Sequence, residues 1–331
     1  MDKILSVSIA AYNVEDVIGK CLDSFIDSQF LSLLDIIIVD DGSVDKTSTV
    51  TRKYVNKYPD SLRLISKKNG GHGSTINIAI LNAKGKYFKV VDSDDWVDTG
   101  ALDRFIQTLL NVDVDLLIND YNGVYPNRIL KEDICRNYMV GKVYSFNEID
   151  PFYYIPMHAI TIKTISYKKL EYTISENCFY VDTEYVFFVG MCSKTILFNK
   201  ECVYQYRLGQ EGQSVSKAGI YKHIEDLMCV IEKLMRIYTF ESPRIDSLVR
   251  KQYLFLIIQS RCQMVFRWYL TINQSDKDKK LKQFYDYMNQ NFPGYMKNIN
   301  LGIYDFIPIN YTAMLCIGRL MKKFKNYLWK K

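Results

Sequence analysis

Apolar runs and amphipathic stretches alternate through the first 120 residues. "ILSVSIA" (4–10) reads as a buried strand, and residues 14–28 place Val17, Ile18, Cys21, Leu22 and Phe25 on one helical face. "DIIIVDD" (35–41) predicts a second strand, followed by a helix over 45–57. "LRLIS" (62–66) predicts a third, and a helix over 74–83 stops before Gly85, a suitable C-terminal glycine. "KYFKVVD" (86–92), a helix near 99–110 and "VDLLIND" (114–120) complete the series. Strand and helix in regular alternation with short links predict an α/β fold of Rossmann-like type, a mostly parallel sheet with helices on both faces. From 121 to 217 the pattern is mixed, with strands at "HAITIKT" (158–164) and "TILFNKECVYQYR" (195–207) around a helix at 182–191. From 218 to 331 it reads as helices, with apolar periodicity through 224–240 and 246–268 and again through the tail. The expected organisation is a core over 1–120, an extension over 121–217 and a helical C-terminal region over 218–331.

Composition changes this picture little, but charge adds to it. The chain has 331 residues, 48% hydrophobic, enough to bury a large core. Eight cysteines stand without any Cys-x-x-Cys spacing, and the N-terminus lacks the build of a signal peptide. Small buried hydrophobes in a reducing cytoplasm are expected of them. The net charge is +6, and the tail alone accounts for it: Arg319, Lys322, Lys323, Lys325, Lys330 and Lys331 face no acidic residue after Met314. A nucleic-acid enzyme would spread its positive charge over the body, so nucleic acid is not an expected partner. In the tail Ile317, Leu320, Met321, Phe324 and Leu328 recur at helical spacing, which suits either an anionic membrane surface or packing on the body. No run of 18 apolar residues is present, so no bilayer span is expected.

Candidate chemistry sits at the strand ends. "SIAAYN", "IIIVDDGSVD" and "VVDSDDW" all follow predicted parallel strands and so project to one edge of the sheet, where open α/β sheets bind ligands. Converging carboxylates are costly unless a cation or a donor-rich ligand satisfies them. Asp92 and Asp94, two apart, can offer hard oxygen ligands to Mg²⁺ or Mn²⁺ and leave positions for water and phosphate. One of Asp40 and Asp41 is placed to accept hydrogen bonds from a base, with Gly42 and Ser43 making the turn that follows. Each motif alone is also a common turn signal; their joint occurrence at successive strand ends carries the argument.

Taken together, "SVSIAAYN", "IIIVDDGSVDKT" and "NGGHGSTINIAILNAKGKYFKVVDSDDWVD", in that order across residues 6–98, resemble the inverting, nucleotide-sugar-dependent glycosyltransferases of family 2, which have the GT-A fold. "FYVDTEYVFFV" and "YQYRLGQEGQSVS" extend the resemblance more weakly. It implies a nucleotide-sugar core over 1–120 and an acceptor-binding part over 121–217. Asp40 or Asp41 would contact the base, with Ala10, Tyr12 and Glu15 lining that pocket, and Asn77 and the Gly70–Gly71 loop would lie near the donor. Asp92 and Asp94 match the Asp-x-Asp metal motif, Asp94 for direct coordination and Asp92 for ribose or metal, with Asp95 as a rival. Asp182 matches the family's catalytic base, although Val181 stands where a glutamate is usual; Glu184 and Glu176 are lesser candidates. As a purely local reading, Asp182 would cap the helix that follows. Arg207 or the Gln213-Ser214 loop would close over the diphosphate or reach the acceptor, and His158 is the histidine to test for substrate contact.

The resemblance further implies a divalent cation, a nucleotide-sugar donor with uridine the commonest base, and a glycan or lipid-linked acceptor. With the basic tail it suggests a cytoplasmic enzyme, peripheral at the inner face of the plasma membrane, in bacterial surface-polysaccharide synthesis. Self-association is left open. A catalytically inactive partner subunit that keeps the fold is the alternative, and the acidic residues argue against it. An aspartate-nucleophile phosphatase expects Thr or Val where Trp96 stands, a receiver domain expects its paired aspartates after the first strand, and a polymerising synthase expects membrane spans and Gln-x-x-Arg-Trp.

Overall fold

The computed structural model describes residues 2–151, 154–209, 217–271 and 277–296. The chain divides into two compact units, Met1–Glu211 with Asp246–Tyr253, and Gly212–Ile245 with Leu254–Lys331.

In the first unit β1 (Leu5–Ala11), α1 (Ile18–Ile26), β2 (Leu34–Asp40), α2 (Thr47–Lys57), β3 (Leu62–Ser66), α3 (Gly71–Asn82) and β4 (Tyr87–Asp92) follow the predicted alternation. A short β5 (Trp96–Val97), α4 (Thr99–Asn111) and β6 (Leu116–Tyr125) come next. Strands β1 and β2 are buried along nearly their whole length because helices cover both faces, which is why they read as continuous apolar runs. Leu5, Val7, Ile36, Ile38, Leu102 and Phe105 belong to that core. Asp98 starts α4 by accepting from the Ala101 N–H at 2.7 Å.

The sheet departs from the simple parallel series where β5 and three later strands join it antiparallel. Its order is β3-β2-β1-β4-β9-β6-β10-β5, with β7 (Arg128–Glu132) on β6 and β8 (Val143–Ser145) on β10. The extension supplies β9 (Ile160–Lys163), which lies antiparallel between β4 and β6, and β10 (Thr195–Arg207), parallel to β6. The "ITIK" segment thus separates β4 from β6 in the sheet. Gly85 also has a different job from the expected helix-ending glycine. A Cβ there would stand 2.3 Å from the Ser6 nitrogen, so a close backbone approach requires it.

Helices α5 (Thr164–Lys168) and α6 (Val181–Cys192) lie in this unit, where α8 (Leu248–Thr271) also begins. The second unit contains α7 (Lys217–Glu241), the rest of α8, α9 (Lys277–Asn291) and α10 (Pro293–Met296). Leu227, Leu234, Leu254, Ile258, Leu281 and Met288 are buried there, and the Tyr287 hydroxyl donates to Glu232 at 2.7 Å. The basic tail over 314–331 and the Gln213-Ser214 loop lie outside the described residues. Among the described residues no helix is long and apolar enough to cross a membrane. The described cysteines are free thiols; Cys21, Cys135 and Cys262 are buried as expected, but Cys229 is exposed on α7, whose outer face is polar.

Candidate active site

The carboxyl ends of β1, β2 and β4 lie side by side, with Ala10 in register between Val39 and Asp92, and Ala11 beside Asp40. Gly42 makes the turn after β2 at φ +78, where a Cβ would press on the Asn69 backbone at 3.0 Å. Asp40 accepts from the Ser43 N–H at 3.0 Å through one oxygen. Asp41 uses both: the Lys67 ammonium at 2.6 Å and the Gly70 N–H at 2.9 Å on Oδ1, and the Gly71 N–H at 2.8 Å on Oδ2. Tyr12 is exposed beyond β1, and Glu15 accepts from the Lys46 N–H at 2.7 Å. Asn77, expected near the donor, commits both ends of its amide to the Ile174 backbone, at 2.8 and 2.9 Å.

The loop after β4 is a tight turn closed by the Asp95 N–H on the Asp92 carbonyl at 3.1 Å. Pairing of β5 with β10 turns Asp95 inward, where its side chain accepts from the Arg207 N–H at 2.7 Å and the Tyr204 hydroxyl at 2.6 Å. Asp94 is left exposed at the tip. Asp92 keeps 29% of its side-chain surface open, with the His72 Nε2 at 3.4 Å from one oxygen and the Tyr204 hydroxyl at 3.4 Å from the other.

His158 joins this group. Its ring stacks on Tyr206 with centroids 4.2 Å apart and meets Tyr204 edge-on at 4.7 Å; its Nδ1 is buried without a hydrogen-bond partner. The alternation of β10 puts Tyr204 and Tyr206 on one face, which is how both reach it. Below, the buried Lys89 ammonium donates to the His158 carbonyl at 2.8 Å and the Ile160 carbonyl at 3.2 Å, holding β9 to β4. Ligand atoms of Asp92, Asp95 and His158 all lie within 4.8 Å of one another, a grouping of two carboxylates and an imidazole that could hold a divalent cation. Asp94 is not part of this group, and His158, expected to contact acceptor, is.

Proton affinities follow from crowding and burial. Burial and the Asp92 charge push the Asp95 carboxyl up to about 8, against the opposing Tyr204 and Arg207 hydrogen bonds. Asp92 is raised as well, by burial first and then by the charges of Asp94 and Asp182, with His72 and Tyr204 opposing. Burial, with the Lys89 charge adding, drives His158 down to about 3, so it presents a neutral ring, the form that binds metals.

Asp182 therefore lies close enough to act electrostatically on Asp92, and it acts on Tyr206 too. It sits in the first turn of α6 and is not the cap: Tyr180, in a left-handed conformation at φ 62, holds that position without a side-chain capping hydrogen bond. Glu184 is fully buried and accepts from the Ser175 N–H and hydroxyl, while Glu176 is exposed. Arg207 brings its charge near Lys20, whose ammonium lies 3.1 Å from the Trp96 ring centroid. Tyr204, His72 and Lys89 had no sequence-level role. Only the period-2 spacing of Tyr204 and Tyr206 could have hinted at theirs.

Glycosyl transferase family 2 matches over residues 6–165, from the start of β1 into α5, and the match contains each of these strand ends. Residues 6–165 thus form a glycosyltransferase family 2 domain. A glycosyltransferase of Mycoplasma pneumoniae, described as an uncharacterised MG060 homolog, is 25% identical over 277 residues, covering 80% of this chain and 91% of that protein. The poly(ribitol-phosphate) beta-glucosyltransferase of Bacillus spizizenii is 34% identical over 134 residues, 39% of this chain and 21% of that one, so the chain spans only a fifth of it. Among solved structures, S. aureus TarS 1–349 in complex with UDP-GlcNAc aligns with a TM-score of 0.70 at 16% identity, covering 96% of this chain and 89% of that one. This glycosyltransferase has the GT-A fold, with its curled, mostly parallel sheet.

Proposed function

We propose that this family 2 enzyme moves one sugar from a UDP-sugar to a hydroxyl of a glycan or lipid-linked acceptor, with inversion, in the synthesis of a bacterial surface polysaccharide. The observation that carries the reading is the grouping of Asp92, Asp95 and His158 at the sheet edge where β1, β2 and β4 end, with the Asp182 charge near enough to raise Asp92. Asp182 takes the proton from the acceptor hydroxyl as that oxygen bonds to the anomeric carbon and the bond from that carbon to the diphosphate breaks on the opposite side. A single displacement inverts the centre, and the nucleoside diphosphate departs with the bonding electrons.

Asp92, Asp95 and His158 would hold a divalent cation, Asp94 at the tip being the alternative ligand from the motif. Such a cation, when bound, neutralises charge on the departing diphosphate. Asp40, with one oxygen not spent on Ser43, is the better of the two aspartates for the base; Ala10, Tyr12 and Glu15 flank it. Arg207, beside Lys20 and Trp96, suits the diphosphate or an anionic acceptor. The UDP-GlcNAc complex of TarS and the teichoic-acid relatives favour uridine and a surface polymer. The basic amphipathic tail favours a peripheral place at the inner membrane face, which loss of binding to anionic vesicles on removal of residues 314–331 would test.

Thermal shift with UDP, GDP, CDP and dTDP, each with Mn²⁺, Mg²⁺ or EDTA, tests the donor site, since a ligand selective for the native state raises its melting temperature. Cation-dependent stabilisation by UDP is expected, together with UDP release from a panel of UDP-sugars. Binding without any turnover, with acceptor extracts present, would move the assignment to an inactive partner subunit; no binding of any nucleotide would overturn the donor site.

A further inference from the structure

The loop before α6 is laced to the amino end of α3 at every turn. The Asn177 N–H donates to the Gly70 carbonyl at 2.6 Å, and Asn77 holds the Ile174 backbone at two points. Between them Gly73 lets Ser175 come so close that a Cβ would stand 2.0 Å from the Ser175 carbonyl oxygen. Ser175 in turn gives both its N–H, at 2.8 Å, and its hydroxyl, at 2.7 Å, to the two oxygens of Glu184. Glu184 has no exposed surface, and a carboxylate is tolerated there only when hydrogen-bonded this fully. On the other side Asp41, at the end of β2, grips Gly70 and Gly71. One run of contacts thus joins the aspartate pair after β2 to α6.

Helix geometry gives the run a purpose. Asp182 and Glu184 are two residues apart, so they point about 200° apart around α6. Fixing Glu184 from within, together with the packing of its buried neighbours, holds the rotation of the first turns of the helix, and with it the direction of Asp182.

We propose that Asn77, Ser175 and Glu184 form a joint that aims the Asp182 carboxylate at the attacking acceptor hydroxyl, with Glu184 as a positioning residue; this rests on Asp182 acting as the base. Misplacing a reacting group by about 1 Å can cost ~100-fold in rate. The test is steady-state UDP release from UDP-sugars, with UDP thermal shift alongside. Glu184→Ala should lower kcat ~100-fold while leaving donor KM and the UDP shift unchanged, and Glu184→Gln, which can still bind Ser175, should recover most of the rate. Combined with Asp182→Asn, Glu184→Ala should add no further loss, because the two act through one group. If Glu184→Ala does not fold, Ser175→Ala and Asn77→Ala take its place, each expected to lower kcat at least tenfold with KM unchanged.

Losses that multiply in the double variant, or full kcat in the Glu184, Ser175 and Asn77 variants beside an inactive Asp182→Asn, overturn the joint and leave the base standing. Full activity in Asp182→Asn removes the base assignment, and the joint falls with it.

Discussion

Tyr204 donates its hydroxyl to Asp95 at 2.6 Å and stands 3.4 Å from the Asp92 carboxylate, so one phenol spans the two carboxylates of the acidic loop. It also accepts the Asp92 N–H at 3.2 Å. Removing that oxygen leaves Asp95 with the Arg207 N–H as its remaining hydrogen-bond donor named above and frees the loop. Tyr204→Phe should destabilise the protein by about 1–3 kcal/mol in urea unfolding, the cost of an unmet buried polar group. Mn²⁺ affinity in the presence of UDP should fall ~10–100-fold by calorimetric titration, as for other groups that orient metal ligands. Unchanged affinity would mean that Tyr204 only packs.

The grouping of Asp92 with Asp95 and His158, and the exposure of Asp94, separate two versions of the metal site. Asp95→Asn should abolish the Mn²⁺-dependent part of the UDP thermal shift, whereas Asp94→Ala should keep it. The reverse pattern would return the cation to the Asp-x-Asp pair.

Lys89 is buried beneath the site, and burial pushes its ammonium down to about 7 from 10.5. Between those values the unfolded chain binds a proton that the folded protein does not, so this residue makes stability rise with pH, from about pH 7 upward. Below that the protonated amine is held in both states, and its contribution is flat. Unfolding free energies of the wild type and Lys89→Met, compared from about pH 6 to about pH 9.5, should differ by an amount that moves in the wild type's favour. The slope approaches ~1.4 kcal/mol per pH unit as its limit. A difference independent of pH would show that the ammonium keeps its charge in the fold.

Gly73 leaves no room for a methyl group against the Ser175 carbonyl. Gly73→Ala should therefore cost about 1–3 kcal/mol, as overpacking does, even though alanine favours a helix. It should also lower the transfer rate by shifting the Ser175 loop. A stabilised variant would mean that the loop moves aside freely.

Much of the architecture was legible from local pattern. Largely apolar strands at 4–10, 35–41 and 86–92 report burial on both faces, and the polar residues that end them mark the open edge of the sheet; neither inference needs a distant partner. Asp40, Asp41 and Asp92 could be singled out for that reason, whereas Asp182 was marked only by the family resemblance. What the sequence could not express is pairing across long separations. That "ITIK" at 160 slips antiparallel between strands from 87 and 116 depends on which edge was left unpaired once the others had formed. That Asp95 turns inward and Asp94 outward depends on a two-residue strand meeting β10 more than a hundred residues later. His72, His158, Lys89 and Tyr204 gain their chemistry only from such neighbours. Period and strand-end polarity thus determined the alternating parallel strands and the edge where their polar residues gather, while the tertiary structure alone decided the strand order and which carboxylates face one another, because hydrogen bonding and desolvation act on distance in space and carry no trace in local spacing.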